Sequence, residues 1–350
     1  MADRNVRVLL AEDSPTARHH LADMINQTPG MRVIGEARDG AEVLALAEEL
    51  KPDVISMDIR MPRIDGLEAT RQIMARCPTP IVVVSALLDA DIDLSFRALQ
   101  AGALAVVEKP PARHDPTFHD KQRQLTTTLA AMAGVHVVRR WENAPGRNTV
   151  KEASELTLQA TVRPELIAIG ASAGGPSALS TLLKGLPSDL PVPLVVVQHM
   201  LDEFIPGLAR WLSDGSPVPV RVAADGLALE PGVVYLSPGT AHLTIARRGQ
   251  KLVAELIYEQ GPQRYRPSVD ILFQSVADVC GQAGIGLLLT GMGDDGAAGL
   301  LAMREAGART LSQDKTGCTV FGMPAAAIEL GAAEQVVPLS RLSTVLLKLL

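Results

Sequence analysis

The chain has 350 residues, too many for one ordinary core and about right for two. Hydrophobic residues at 47% and charged residues at 21% are a normal globular balance, but aromatics at 3% are too sparse for base-stacking platforms or aromatic sugar grooves. A net charge of −6 leaves no basic field to attract phosphate backbones, so nucleic acid is not an expected partner. Cys77, Cys280 and Cys318 are odd in number and far apart, which argues against a disulfide framework or a cysteine metal site and fits a reducing cytoplasm. The apolar run 8–11 turns acidic at Glu12 and Asp13, unlike a signal peptide, and no run of 18 apolar residues is present to insert in a membrane.

The first 110 residues alternate. Strands are expected at 6–11, 32–37, 53–57, 81–84 and 105–107, and helices at 15–27, 40–50, 66–76 and 89–101, with a last helix at 117–133. Continuous apolar strands between helices mean a parallel sheet buried on both faces. Residues 134–162, with Arg139-Arg140, Trp141 and Pro145-Gly146, lose the periodicity and read as a linker. Alternation restarts at Leu166. Strands are expected at 166–169, 193–197, 219–223, 233–236, 242–247, 252–257, 285–289 and 309–312. Helices are expected at 176–185, 204–213, 268–282, 296–306 and 322–330. The stretch 219–258 reads as β-hairpins inserted in an α/β unit. The fold class is therefore α/β: two doubly wound parallel-sheet bodies, a flavodoxin-like (βα)5 unit and a Rossmann-like unit carrying an inserted hairpin.

Ligands of such sheets bind at the C-terminal strand ends. Glu12 and Asp13 follow the first strand, and Asp58 follows the third. Three crowded acids need a cation, and hard oxygen ligands in this number suit Mg²⁺. Ser85 and Lys109-Pro110 follow strands four and five, adding a hydroxyl and an ammonium. Together they make a site where a carboxylate can accept a phosphoryl group. Any one of these acids alone is more often a solvated loop carboxylate, but four matches to one geometry are not. In 61–66, Pro62 holds Met61 extended and Gly66 permits a tight turn before the next helix.

In the second half, strand 166–169 runs into Gly170-Ala171-Ser172-Ala173-Gly174-Gly175, and Pro176 opens a helix. Ser172 stands at the positive end of that helix, with small neighbours that admit a carbonyl. A phosphate-cradling turn is the competing reading, but a dinucleotide loop needs glycine where Ser172 stands. The next strand ends in Gln198-His199, which places an imidazole at the same sheet edge, able to activate Ser172. The strand at 285–289 feeds Thr290-Gly291-Met292-Gly293-Asp294-Asp295-Gly296. One of its aspartates can orient the imidazole and the other can cap the following helix. The order serine, histidine, aspartate differs from that of α/β-hydrolases despite a literal G-x-S-x-G at 170–174.

These motifs resemble two known families. Residues 6–125 resemble a response-regulator receiver domain. The whole chain resembles the chemotaxis-type protein-glutamate methylesterases of the CheB family, on motifs 169–176, 198–200, 237–239, 267–270 and 290–296. The resemblance implies a receiver at 1–125, a helix end and linker at 126–162, and a methylesterase domain at 163–350. It implies Asp58 as phosphoacceptor, Glu12 and Asp13 as Mg²⁺ ligands beside Asp58, and Ser85 and Lys109 as switch residues. For the esterase it implies Ser172 as nucleophile, His199 as base, Asp295 as orienting acid, backbone amides of Ala173 and Met292 as oxyanion donors, and no cofactor. The implied partners are a chemoreceptor cytoplasmic domain as substrate and a histidine kinase as phosphodonor. In the family the unphosphorylated receiver covers the active site. Two positions depart from the pattern: Val106 stands where receivers carry an aromatic switch residue, and Ala173 where the esterases commonly carry threonine. A phosphorylation-controlled binding protein with a vestigial esterase and a generic small-ester hydrolase are the alternative readings.

Overall fold

The structure, a computed structural model, describes residues 5–85, 89–135, 137, 162–258 and 265–350. The linker expected at 134–162, with Trp141, lies almost wholly outside the described residues.

The N-terminal body alternates β1 (Val6–Ala11), α1 (Pro15–Asn26), β2 (Met31–Ala37), α2 (Gly40–Leu50), β3 (Val54–Asp58), α3 (Gly66–Arg76), β4 (Ile81–Ser85), α4 (Asp89–Ala101), β5 (Ala105–Glu108) and α5 (Phe118–Ala133). The strands form one sheet in the order β2-β1-β3-β4-β5, with every neighbouring pair parallel. Val8, Leu9 and Leu10 are all fully buried, as a strand covered on both faces requires. Helix starts are fixed locally: Asp39 accepts from the Ala41 and Glu42 amides, and Asp65 accepts from Glu68. The chain leaves β1 for β2 on one side and later adds β3 on the other, so the switch point falls between β1 and β3.

The C-terminal body contains β6 (Leu166–Ala171), α6 (Gly175–Lys184), β7 (Leu194–Gln198), α7 (Ile205–Asp214), β8 (Val220–Val222), β9 (Val234–Leu236), β10 (His242–Arg248), β11 (Lys251–Ile257), α8 (Val269–Cys280), β12 (Gly284–Leu288), α9 (Ala297–Glu305), β13 (Arg309–Gln313), α10 (Met323–Glu329), β14 (Gln335–Val337) and α11 (Leu339–Leu349). Seven strands make one parallel sheet, β14-β13-β12-β6-β7-β9-β8. The expected hairpin insertion is therefore narrower than 219–258. β8 and β9 are parallel members of the main sheet, and only β10 and β11 pair antiparallel, as a separate ribbon. β14 and α11 complete the C-terminus beyond the expected elements.

β6 is the first strand of this sheet in the chain and lies at its middle, flanked by β7 and β12. That is the second switch point. Gly170 near the end of β6 has a steric reason: a methyl there would lie 2.2 Å from Cγ1 of Val269 and 2.9 Å from Leu288. The start of α8 therefore sits directly on the strand that carries Ser172. Gly170→Ala is expected to destabilise this body by about 1–3 kcal/mol, because Val269 is a stiff, buried side chain. A urea titration in which the variant unfolds with the wild-type protein would contradict that packing.

Candidate active site

In the N-terminal body, the switch point gathers the three expected acids. Ligand atoms of Glu12, Asp13 and Asp58 lie within 4.8 Å of one another. Glu12 and Asp58 are buried, and Asp13 is exposed. The Lys109 amide donates to the Ser85 carbonyl at 2.9 Å, which sets both residues at the same rim. The Lys109 Nζ lies 2.7 Å from Glu12 and 2.9 Å from Asp58. Burial would by itself lower the Lys109 ammonium, but the two carboxylates outweigh it and hold its pKa above the ordinary value. Burial raises the Glu12 carboxyl; its bond to Lys109 offsets part of this, and the nearby Asp58 charge adds to it. Two buried acids and one exposed one, all offering oxygen, fit a small hard divalent cation reached from the Asp13 side. Gly66 is needed here for space rather than for turn geometry. A methyl there would lie 2.1 Å from the Asp58 carbonyl oxygen, while the left-handed backbone falls to Arg63 at φ 65°. Val106 lies on β5 opposite Val83.

In the C-terminal body, β6 and β7 pair so that Ala171 faces Gln198, and the His199 amide then donates to the Ala171 carbonyl at 2.9 Å. Ser172 and His199 are thus the next residues on adjacent parallel strands, whose separation is about 4.8 Å. Ser172 is tied on its other side by its amide, which donates to the Thr290 carbonyl at 3.0 Å. The Gln198 side chain donates to the Ser172 carbonyl at 2.8 Å, bracing the turn. Asp295 reaches across from the loop after β12, with Oδ2 2.8 Å from the His199 Nε2. The fold therefore gathers the serine loop, the imidazole and the carboxylate at one rim of the sheet. Among the described residues the Ser172 hydroxyl meets no hydrogen-bond partner; such bonds commonly tighten only with substrate in place.

Asp295 is held by more than the histidine. Its carboxylate accepts from the Ser268 hydroxyl at 2.8 Å, the Val269 amide at 2.7 Å and the Asp270 amide at 3.1 Å. This is the amino end of α8, where unpaired N–H groups favour an anion. Burial alone would raise the Asp295 carboxyl, but the His199 bond and the backbone donors outweigh it, and its pKa lies below the ordinary value. Asp295 is therefore ionised, and the imidazole Nε2–H donates to it. Asp270 returns the arrangement: its carboxylate accepts from the Gly296 and Gly299 amides at 2.9 and 2.6 Å and so caps α9. The cap expected from one of the paired aspartates is thus supplied by Asp270, 25 positions earlier than Asp295. Behind this layer, the buried His242 at the start of β10 accepts from the Ser268 amide at 3.1 Å, so the ribbon anchors the α8 start.

Ser268 and Asp270 were visible in the sequence only as part of a motif, and nothing in their spacing points to Asp295. Of the two expected oxyanion amides, that of Met292 belongs to an exposed residue and donates no hydrogen bond among the described residues. Ala173 is partly buried in the turn after Ser172. Beside Asp295 opens a cavity of about 600 Å³, bordered by Tyr265, Asp294, Ala326, Glu329 and Leu330. Among the described residues, no helix is long and apolar enough to cross a membrane.

A five-stranded sheet with a strand-end acid cluster, joined in one chain to a seven-stranded sheet with a serine loop and a His–Asp pair at its rim, defines the class: a response regulator whose output half is an α/β enzyme. Family models agree with both halves, the response regulator receiver domain over residues 8–115 and the CheB methylesterase over residues 167–346. The chain belongs to the CheB methylesterase family. It is 45% identical to protein-glutamate methylesterase/protein-glutamine glutaminase 4 of Myxococcus xanthus, over 98% of this chain and 97% of that one. It is 44% identical to protein-glutamate methylesterase/protein-glutamine glutaminase 3 of Anaeromyxobacter dehalogenans, over 95% of each. The crystal structure of the Thermotoga maritima CheB methylesterase catalytic domain matches 54% of this chain and all of its own, at 36% identity and TM-score 0.52.

Proposed function

We propose that residues 163–350 hydrolyse γ-glutamyl methyl esters on the cytoplasmic domain of methyl-accepting chemoreceptors, and that phosphorylation of Asp58 in the receiver, residues 1–125, raises the rate. The observation that carries this is the His199–Asp295 pair at 2.8 Å, one strand away from Ser172. With Nε2–H donated to Asp295, Nδ1 is the nitrogen left to take the Ser172 proton. The Ser172 oxygen then attacks the ester carbonyl, and the amides of Ala173 and Met292 receive the oxyanion. His199 returns the proton to the departing methoxide, which leaves as methanol. Water, activated through the same imidazole, attacks the acyl-enzyme and releases the glutamate carboxylate and free Ser172. A glutamine side chain follows the same course with ammonia as the leaving group, in keeping with the double name of the relatives.

In the receiver, Glu12, Asp13 and Asp58 would hold Mg²⁺, which supplies charge neutralisation for the incoming phosphoryl group. Asp58 accepts that group from a chemosensory histidine kinase. Lys109, already bonded to Asp58, is placed to pair with the phosphoryl oxygens, and Ser85 to donate its hydroxyl.

The test is methanol release from a methylated receptor cytoplasmic fragment, with and without a phosphodonor. Asp58→Asn is expected to keep the basal rate and lose the activation, which for a coupling of about 1–3 kcal/mol is several-fold to about 100-fold. Equal activation of variant and wild type by acetyl phosphate would refute the coupling.

A further inference from the structure

The carboxylate accounts for one edge of the His199 imidazole and leaves its face to another group. The Tyr265 ring stacks against it, parallel and offset, with centroids 5.2 Å apart and planes 3° from parallel. The Tyr265 hydroxyl donates to Oδ1 of Asp294 at 3.2 Å. Asp294 directly precedes Asp295, so two consecutive carboxylates serve two sides of one imidazole. Asp295 takes the Nε2–H, and Asp294 holds the phenol that covers the face. Tyr265 is only partly buried, so core packing does not explain a ring held parallel to a histidine.

A single N–H···O bond fixes a distance but lets the ring rock about the bond axis, which carries Nδ1 away from the serine. A flat aromatic neighbour removes that freedom. Its electron-rich face also favours the imidazolium formed when the serine proton is taken. We infer that Tyr265, anchored by Asp294, is a positioning residue that locks the His199 imidazole in the plane needed for ester hydrolysis. This rests on His199 being the base, as proposed above.

The test uses the full chain and methanol release from a methylated receptor fragment. Tyr265→Leu is expected to lower kcat by about 10–100-fold with little change in KM, the size that a misplaced catalytic group costs. Tyr265→Phe keeps the stacked ring and should recover most of the rate. Tyr265→Phe and Asp294→Ala both break the anchoring bond, so each should cost a few-fold and their combination no more than either alone. The deciding arm is a double-mutant cycle with His199→Ala. If Tyr265 works through the imidazole, Tyr265→Leu costs nothing further once the imidazole is gone, whereas damage to the fold would still add. A Tyr265→Leu enzyme with wild-type kcat, one that raises KM alone, or one whose loss persists in the His199→Ala background overturns the positioning role while leaving the triad intact. A His199→Ala enzyme with wild-type turnover overturns the triad reading itself, and the positioning role with it.

Discussion

Ser172→Ala is expected to lower methanol release by about 10³–10⁶-fold, the loss typical when a nucleophile that works as a unit with its base is removed. The argument is positional. Ser172 stands at the switch point of the seven-stranded sheet, between the strand that presents His199 and the strand whose loop presents Asp295. The substitution should also be structurally mild. The backbone of Ser172 carries the bonds to Thr290 and Gln198, and neither needs the hydroxyl. Thermal stability close to wild type, with no fluorophosphonate labelling at position 172, is the full expected result. A variant that retains a tenth of wild-type turnover would remove Ser172 from the mechanism.

Asp295→Asn is expected to cost about 10²–10⁴-fold in kcat with a smaller effect on KM. The carboxylate accepts from four groups: the imidazole, the Ser268 hydroxyl and the amides of Val269 and Asp270. An asparagine offers one oxygen and an NH₂: placed at Oδ1, the NH₂ faces the Asp270 amide, and placed at Oδ2 it faces both the Val269 amide and the imidazole. In both placements one backbone amide loses its partner, and in the second the ring must also turn and present the wrong nitrogen to the serine. The buried mismatch should also cost about 1–3 kcal/mol of stability.

The pH dependence of stability has a definite sign. The Asp295 pKa is lowered in the folded protein, so the stability it contributes is present above the ordinary carboxylate range and is lost as pH falls through the depressed value. Asp270 acts oppositely: burial, with the charge of Asp295 adding to it, raises its carboxyl. Its contribution is therefore present at low pH and lost as pH rises through the raised value. Asp295→Asn removes the first effect whole but only trims the second, because burial and not the Asp295 charge is the main cause of the raised Asp270 carboxyl. Urea midpoints measured from about pH 3 to pH 7 should then fall less steeply on acidification in the variant than in the wild-type protein. Parallel acid limbs would mean that Asp295 is not the group responsible.

Much of this was legible in the primary sequence because the information is local. Runs such as Val8-Leu9-Leu10 and Leu194-Val195-Val196-Val197 are apolar on every residue and rich in β-branched or leucine side chains, as a strand buried on both faces requires. The chemistry follows from where those runs stop: Glu12, Asp58, Ser172 and His199 each lie at or just past a strand end, where a parallel sheet presents its ligands. The last helix was open to the same reading, since Leu342, Leu346 and Leu349 recur at helical spacing.

What lay beyond local reading depends on which strands become neighbours. A short apolar strand, a turn and another short apolar strand look alike whether the two pair antiparallel or parallel, and β8 and β9 take the parallel arrangement because β9 docks on β7. β14, three residues long, is too short to show a period and exists through β13. In the same way, the sequence marks Asp295 as an acid in a glycine-rich loop. Its ionised state, its grip on Nε2 and the tyrosine against the imidazole come from Ser268, Val269, Asp270 and Tyr265, residues 25 to 30 positions away that share its rim because the start of α8 packs on Gly170. Backbone periodicity is decided by neighbours along the chain, whereas the charge and orientation of a buried side chain are decided by whatever the sheet order brings against it.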